Sequence, residues 1–113
     1  MSLHIDNITV NTTRPRELAE WWVNALSGTI LSDHGDFVFT KVGELGLAFQ
    51  RVEEARAAGN TVHFDLDTDD RAAQVERLIG LGATVEEEHR GTTAQWTVLS
   101  DPDGNLFCVT QVG

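Results

Sequence analysis

Two residues on one short alternating segment have side chains suited to acid–base chemistry. In the stretch TVHFDLD, His63 and Asp65 are separated by a single residue. An extended chain therefore places both side chains on one face. A carboxylate that orients an imidazole is a common arrangement around a general base. Neighbours on one strand face start about 7 Å apart, so we expect this pair to need a rearrangement or a bridging water.

The other potential nucleophiles show no catalytic pattern. Ser27, Ser32 and Ser100 lie outside any GxSxG sequence, and the chain has no glycine-rich phosphate loop. Cys108 is the single cysteine, which excludes an intramolecular disulfide and indicates a reducing cytoplasm. A lone cysteine is more often a small buried side chain than a ligand.

The charge balance argues against several classes of partner. Eighteen acidic residues against eight basic ones give a formal net charge of −10, and the basic residues are scattered. Binding to nucleic acid depends on clustered basic side chains, so we expect no nucleic-acid partner. No apolar run approaches the roughly 20 residues that span a bilayer, so we expect no membrane partner. No apolar run follows a basic start near residue 1, so we also expect no signal peptide. A cationic small molecule is compatible with this charge.

The elements that must position these residues follow from hydrophobic periodicity. The first half predicts a strand at 3–11, a helix from Pro15 to Leu26 ended by Ser27-Gly28, and strands at 29–32, 37–42 and 45–52. After a charged linker at 53–60, the second half predicts a strand at 61–67, a helix through Leu81, and strands at 83–89, 94–99 and 105–112. We expect Thr68 or Asp69 to cap the second helix. Its predicted buried stripe comprises Ala72, Val75, Leu78 and Ile79.

The same order of elements therefore occurs twice. Asn7 aligns with His63 at a spacing of 56 residues, and ALSGTI aligns with GLGATV at a spacing of 55. A near-constant spacing indicates duplication of a βαβββ unit. The prediction is a single α+β domain over residues 1–113, made of two paired modules at about 1–52 and 61–113. We expect their curved mixed sheets to enclose a cavity.

This repeat, with LGAT after the second helix and DPDGN before the last strand, resembles the vicinal oxygen chelate superfamily. The stretches AFQRV, TVHFDLD and WTVLSDPDGNLFCV are most similar to its small glyoxalase-like domains. Members include glyoxalase I, extradiol dioxygenases, and the bleomycin- and fosfomycin-resistance proteins. The resemblance implies the paired-module fold, while the chemistry varies among members.

The resemblance also implies where a metal would bind. In metal-using relatives the first strand of each module supplies a His or Gln ligand, and the last strand supplies a Glu ligand. In this sequence the first-strand positions correspond to Asn7 and His63. The last-strand positions correspond to Gln50 and Cys108. Only His63 keeps a family ligand. Mg²⁺ and Mn²⁺ prefer carboxylates, and zinc accepts His and Cys but not two amides as partners. We therefore expect no bound metal, with His63 as the weak candidate ligand.

The inward-facing positions instead predict a small-molecule pocket. Its expected ligand-binding residues are Asn7, Gln50, His63, Asp65, Trp96 and Cys108. We expect a cytoplasmic protein that sequesters a cationic or amphipathic compound, as the bleomycin-resistance proteins that it resembles do, and the resemblance to small dimeric relatives implies a homodimer. One alternative is a glyoxalase-like lyase or isomerase that uses a metal or a base at His63. Another is a dimerising accessory domain with a vestigial cavity.

Overall fold

A computed structural model describes residues 2–54, 61–92 and 94–113. Of the predicted linker, residues 55–60 lie outside the described residues. The elements, in chain order, are β1 (Leu3–Thr12), α1 (Pro15–Leu26), β2 (Thr29–Asp33), β3 (Phe37–Val42), β4 (Leu45–Arg51), β5 (Val62–Thr68), α2 (Arg71–Gly80), β6 (Thr84–Arg90), β7 (Gln95–Ser100) and β8 (Leu106–Gln111). Within these ranges, no helix is both long and apolar enough to cross a membrane.

The chain divides into two compact units with the same topology. The N-terminal unit comprises Asn7–Val62, and the C-terminal unit comprises the residues up to Asp6 together with His63–Gly113. In the N-terminal unit β4 pairs in parallel with β1 and antiparallel with β3, and β2 lies outside β3. In the C-terminal unit β8 pairs in parallel with β5 and antiparallel with β7, and β6 lies outside β7. The α+β prediction with two βαβββ modules is confirmed.

Hydrogen bonds at the strand–helix junctions repeat between the units. The Thr12 hydroxyl accepts from the backbone N–H of Arg14, and the Thr68 hydroxyl accepts from that of Asp70, each at 3.1 Å. Both threonines are buried. A buried hydroxyl needs a partner, and here it satisfies a backbone donor just before the helix. The predicted duplication therefore extends to individual side-chain contacts.

The end of α1 differs from the prediction. The left-handed residue is Ser27, with φ of 56°, and not the glycine that follows. Gly28 is required for a different reason, because a Cβ there would lie 2.8 Å from the Lys41 carbonyl oxygen and 2.9 Å from Val42 Cγ2. The second helix does end at a left-handed glycine, Gly82.

The start and buried side of α2 also differ from the prediction. Asp70 is the N-cap, and its carboxylate accepts from the Ala73 N–H at 3.1 Å. Asp is a strong N-cap residue, so the helix begins after it rather than after Thr68 or Asp69. Ala72 and Ile79 are exposed, while Gln74 is buried beside Val75. Gln74 accepts from the Arg77 guanidinium at 2.9 Å, which satisfies its buried carbonyl.

Each unit buries one apolar cluster between its helix and one face of its sheet. Ala19, Val38 and Phe49 form the N-terminal cluster, with Leu18 and Trp22 of α1 packed against it. The C-terminal cluster is formed by Val75, Leu99 and Val109, with Leu66, Leu78 and Phe107 against it. The opposite face of each sheet, here called the helix-free face, carries the side chains that alternate with these residues.

Candidate functional site

The helix-free face of the C-terminal unit brings together three residues of different chemistry. On β5, His63 and Asp65 lie on the face opposite to that of Leu66, as the alternation predicts. Cys108 on β8 is the direct parallel partner of Asp65. One ligand atom from each residue lies within 4.8 Å of the others, and all three are half-buried. This group is called the His63 cluster below. It unites three of the six predicted ligand-binding residues.

His63 and Asp65 approach more closely than their strand spacing suggests. His63 Nε2 lies 3.4 Å from Asp65 Oδ1, with side-chain exposures of 12% and 22%. The expected need for a rearrangement or a bridging water is wrong, because the roughly 7 Å between same-face neighbours applies to the backbone. Both side chains lean along the strand toward each other. The carboxylate is therefore already placed to orient the imidazole.

Cys108 is held as a neutral thiol. Burial, followed by the negative charge of Asp65 and a hydrogen bond to it, raises the pKa of Cys108 to about 12. The charge of Glu87 acts in the same direction. The thiol S–H therefore donates to the Asp65 carboxylate, and the thiolate is not available as a nucleophile at neutral pH.

Further carboxylates surround Asp65. Partial burial, and then the charges of Asp67 and Asp65, raise the pKa of Asp6. Like charges raise a carboxyl pKa only when they are close and incompletely neutralised. This part of the C-terminal unit therefore carries concentrated negative charge.

An aromatic pair lies on the same face. Trp96 is the cross-strand partner of His89, and their rings stack with centroids 4.4 Å apart and an interplanar angle of 14°. The carboxylate of Glu87 lies 3.4 Å from His89 Nε2. Sequence reasoning identified Trp96 and missed both Glu87 and His89. The available signal was the alternation in Thr84–Arg90, which places them together on one side of β6.

The N-terminal unit presents a neutral face at the corresponding place. Thr9 and Ala48 are direct partners, as are Asn11 and Gln50, and Gln50 also pairs with Phe37. Asn7, Thr9 and Ala48 are buried. A wide, shallow depression of about 460 Å³ lies in this unit. The predicted site residue Gln50 contributes to its lining, together with Asp36, Phe37, Arg51, Val52 and Glu53.

Strand register shows that Gln50 and Cys108 are not equivalent in the repeat. The backbone N–H of Val52 donates to the Thr12 carbonyl, and that of Val112 donates to the Thr68 carbonyl, at 2.9 and 2.8 Å. Counting back from these matched bonds, Ala48 is the counterpart of Cys108, and Gln50 is the counterpart of Thr110.

These residues do not fit the hard divalent ion that the superfamily pattern implies. The position that matches Cys108 is Ala48, which has no donor atom. Cys108 itself carries a proton at neutral pH, and Asp65 is the one carboxylate of the His63 cluster. Mg²⁺ and Mn²⁺ prefer several oxygen ligands and would not displace a proton from sulfur.

Comparison with known proteins agrees with the paired-module fold. The family model of the glyoxalase-like domain matches residues 7–110. The chain therefore belongs to the glyoxalase-like domain family, within the vicinal oxygen chelate superfamily. No curated protein matches this sequence.

Three solved structures illustrate the shared fold. A hypothetical protein from Bacillus halodurans C-125 is 15% identical with a TM-score of 0.73, covering 100% of this chain and 96% of its own. A glyoxalase/bleomycin resistance protein/dioxygenase superfamily member from Vibrio splendidus 12B01 is 18% identical with a TM-score of 0.68, covering 98% and 100%. A variant of Streptomyces coelicolor methylmalonyl-CoA epimerase, in complex with 2-nitronate-propionyl-CoA, is 18% identical with a TM-score of 0.68, covering 99% and 99%.

Proposed function

We propose that this protein binds a small cationic or amphipathic organic molecule on the helix-free face of its C-terminal unit, without a bound metal ion. The observation that carries the proposal is the half-buried His63 cluster on the same face as Trp96. A small number of polar groups beside an aromatic surface is typical of sites for organic ligands.

The charge of this face supports a cationic ligand. Partial burial, and then the negative charges of Asp67 and Asp65, raise the pKa of Asp6, so these three carboxylates lie near one another. A bound cation would relieve this repulsion, and the net charge of −10 would attract it over a longer range. The same charge would repel a polyanionic ligand such as the coenzyme A derivative bound by the epimerase of similar fold.

The aromatic pair supports an unsaturated or amphipathic group on the ligand. The stacked rings of Trp96 and His89 present a flat surface, and the Glu87 carboxylate lies at its edge. Trp is the side chain that attracts cations most strongly through its ring face. A ligand with both a positive charge and an apolar body would place its charge near the carboxylates and its apolar body against the Trp96–His89 pair.

A thermal-shift screen with matched sets of cationic, neutral and anionic compounds tests the proposal. We expect cationic compounds to raise the melting temperature of the unmodified protein in the presence of EDTA. We expect this increase to be lost in Asp65→Asn and in Trp96→Ala. Trp21→Ala is the matched control, because Trp21 is an exposed tryptophan on α1. Equal shifts in all three variants, or a preference for anions, would refute the proposal.

Two further expectations belong to this proposal. We expect a homodimer acting in a reducing, cytoplasmic environment, in which the neutral Cys108 thiol remains unmodified. Light scattering at micromolar concentration tests the dimer, because a mass near the 12.4 kDa of a single chain would contradict it.

One observation favours a second candidate function, a lyase or isomerase with His63 as a general base. The Asp65 carboxylate lies 3.4 Å from His63 Nε2, which suits an orienting role. The test is exchange of a carbon-bound hydrogen of a glyoxalase-type substrate with deuterated solvent. A base at His63 predicts exchange that is lost in His63→Ala and retained in His34→Ala, because His34 is an exposed histidine of the N-terminal unit. Absence of exchange in the unmodified protein would exclude this function for the substrates tested.

A further inference from the structure

Strand register places four side chains in one row across the sheet of the C-terminal unit. Asp65 on β5 pairs directly with Cys108 on β8. Cys108 pairs with Val98 on β7, which in turn pairs with Glu87 on β6. Direct partners point to the same side of a sheet, so all four side chains lie on the helix-free face. This set is called the Asp65–Glu87 row below.

The row is acidic at both ends and uncharged in the middle. The end carboxylates of Asp65 and Glu87 have side-chain exposures of 22% and 65%. Between them lie the apolar Val98 and the neutral thiol of Cys108, both half-buried. Burial, and then the charges of Asp65 and Glu87, raise the pKa of Cys108, so both carboxylates act on the middle of the row. The row therefore offers two separated sites for positive charge with an apolar strip between them.

An aromatic pair borders this strip. Trp96 lies on the same face of β7 as Val98, two residues away along the strand. Its ring stacks on that of His89, its partner on β6. Neighbours on one strand face are about 7 Å apart, which is within reach of an aromatic side chain. An apolar chain that lies along the row would therefore pack beside this pair.

The two ends of the row are alike, and the sheet sets the distance between them. Each end carboxylate has an imidazole nitrogen 3.4 Å away, from His63 at Asp65 and from His89 at Glu87. Neighbouring strands lie about 4.8 Å apart, so three steps separate the backbones of the two end residues by roughly 14 Å. One ammonium group cannot contact both carboxylates across this distance.

We propose that the ligand of this face is an elongated dication that lies across the strands, with one positive group at Asp65 and the other at Glu87. This inference rests on the function proposed above and names the chemical class of its ligand, a linear compound with an ammonium group at each end. Three bonds of an extended chain span roughly 3.5 Å, so a linker of about ten methylenes matches the row. Linking the two charges makes the second contact intramolecular, which strengthens binding when the linker length fits the span.

Nonspecific attraction to an acidic surface makes a different prediction. The net charge of −10 attracts any dication more than a monocation, whatever the spacing of its charges. Binding along the row must instead depend on linker length and on both end carboxylates. Glu76 supplies the matched control, because it is an exposed carboxylate on α2. Glu76→Gln removes the same charge as Glu87→Gln without touching the row.

The experiment is calorimetric titration of the protein, with EDTA present, with linear diamines from diaminobutane to diaminododecane. Aminodecanol is the matched ligand, because it has the length of diaminodecane and a single charge. We expect affinity to reach a maximum near diaminodecane. This diamine should bind at least about tenfold more tightly than aminodecanol or diaminobutane.

Substitutions test whether the row causes this preference. Asp65→Asn and Glu87→Gln should each bring the affinity for diaminodecane to within about twofold of that for aminodecanol, and Glu76→Gln should keep the preference. Because the Glu87 side chain is exposed, Glu87→Gln is informative even if Asp65→Asn is unstable.

Three outcomes would overturn the inference. These are equal binding of diaminodecane and aminodecanol, a preference for diaminodecane that survives Glu87→Gln, and absence of binding by all of the amines. The function proposed above is tested separately by its own thermal-shift screen. A cation with a single charge that binds there would support that function while the dication fails.

Discussion

The two units share a topology but differ in what they place on their helix-free faces. At matched register the N-terminal unit has Thr9 beside Ala48, and the C-terminal unit has Asp65 beside Cys108. The first pair is fully buried, whereas the second is half-buried and joins a thiol to a carboxylate. Duplication preserved the scaffold, including the threonines that precede each helix, while the chemistry diverged. The repeated fold therefore does not predict repeated function.

The helix ends carry a second difference between the units. The N–H of Gly28 donates to the Val23 carbonyl, and that of Ala83 donates to the Leu78 carbonyl, so Gly28 and Ala83 are counterparts. The left-handed residue before each is Ser27 in one unit and Gly82 in the other. The N-terminal unit therefore has its glycine at the second of these two positions, and the C-terminal unit has its glycine at the first.

We expect the largest change in stability when Gly28 of the N-terminal unit is replaced by alanine, the residue that its counterpart Ala83 provides in the C-terminal unit. Gly28→Ala adds a Cβ only 2.8 Å from a backbone oxygen. We expect a loss of about 2 kcal/mol in the free energy of unfolding, because β3 must shift. Chemical denaturation measures it, with Gly80→Ala as the control, since no neighbour lies within 4 Å of a Cβ there. Equal stability of Gly28→Ala and the unmodified protein would show that the close approach is not fixed.

The second-largest expected effect is a pH dependence of the unfolding free energy. It arises on the helix-free face of the C-terminal unit, which carries Cys108, and has no counterpart at Ala48 of the N-terminal unit. The pKa of Cys108 is raised from 9.0 to about 12 in the folded chain. The folded state thus favours the neutral thiol, so its stabilising contribution is complete below pH 9 and is lost as pH rises toward 12. At pH 10 the loss is about 1 kcal/mol.

Cys108→Ser removes this titration and serves as the reference. The difference in unfolding free energy between the two proteins should be constant from pH 7 to 8.5 and should then narrow as pH rises. A difference that stays constant through pH 10 would show that the thiol is not held neutral.

A smaller and opposite effect is expected at the end of α1. Ser27 has φ of 56°, a region that favours glycine. Ser27→Gly reproduces the C-terminal unit, where Gly82 stands. We expect a gain of about 0.5 kcal/mol in the unfolding free energy, because left-handed strain is relieved at an exposed position. A loss of stability would mean that the Ser27 side chain contributes a favourable contact.

The smallest expected effect concerns the charge on the C-terminal face. Asp67 pairs with Thr110 as Asn11 pairs with Gln50, so Asp67→Asn gives this strand the neutral residue of the other unit. Removing one like charge should lower the pKa of Asp6 toward its ordinary value. We expect a gain of a few tenths of a kcal/mol in the unfolding free energy at pH 7 and low salt. Because salt screens this repulsion, a gain that persists at 1 M NaCl would contradict the electrostatic cause.

The sequence by itself determined the elements, their repetition and the phase of each strand. Alternation in TVHFDLD placed His63 and Asp65 on the face away from Leu66, and the structure confirms it. These features are local, because the side-chain period of a strand and the positions of helix-ending residues depend on near neighbours. The errors of the local prediction were small shifts, such as Asp70 as the cap in place of Thr68 or Asp69.

Only the tertiary structure decided which side chains meet. The parallel register of β5 and β8 sets Asp65 beside Cys108, and the register of β6 and β7 sets His89 on Trp96. The same kind of register shows Ala48, and not Gln50, to be the counterpart of Cys108. The register of β5 and β8 depends on hydrogen bonds between strands that are distant in the chain, whereas that of β6 and β7 depends on the short connection between consecutive strands. In both pairs a shift of one residue reverses every side chain. No local pattern encodes that choice, so the composition of the candidate site became visible only in the folded chain.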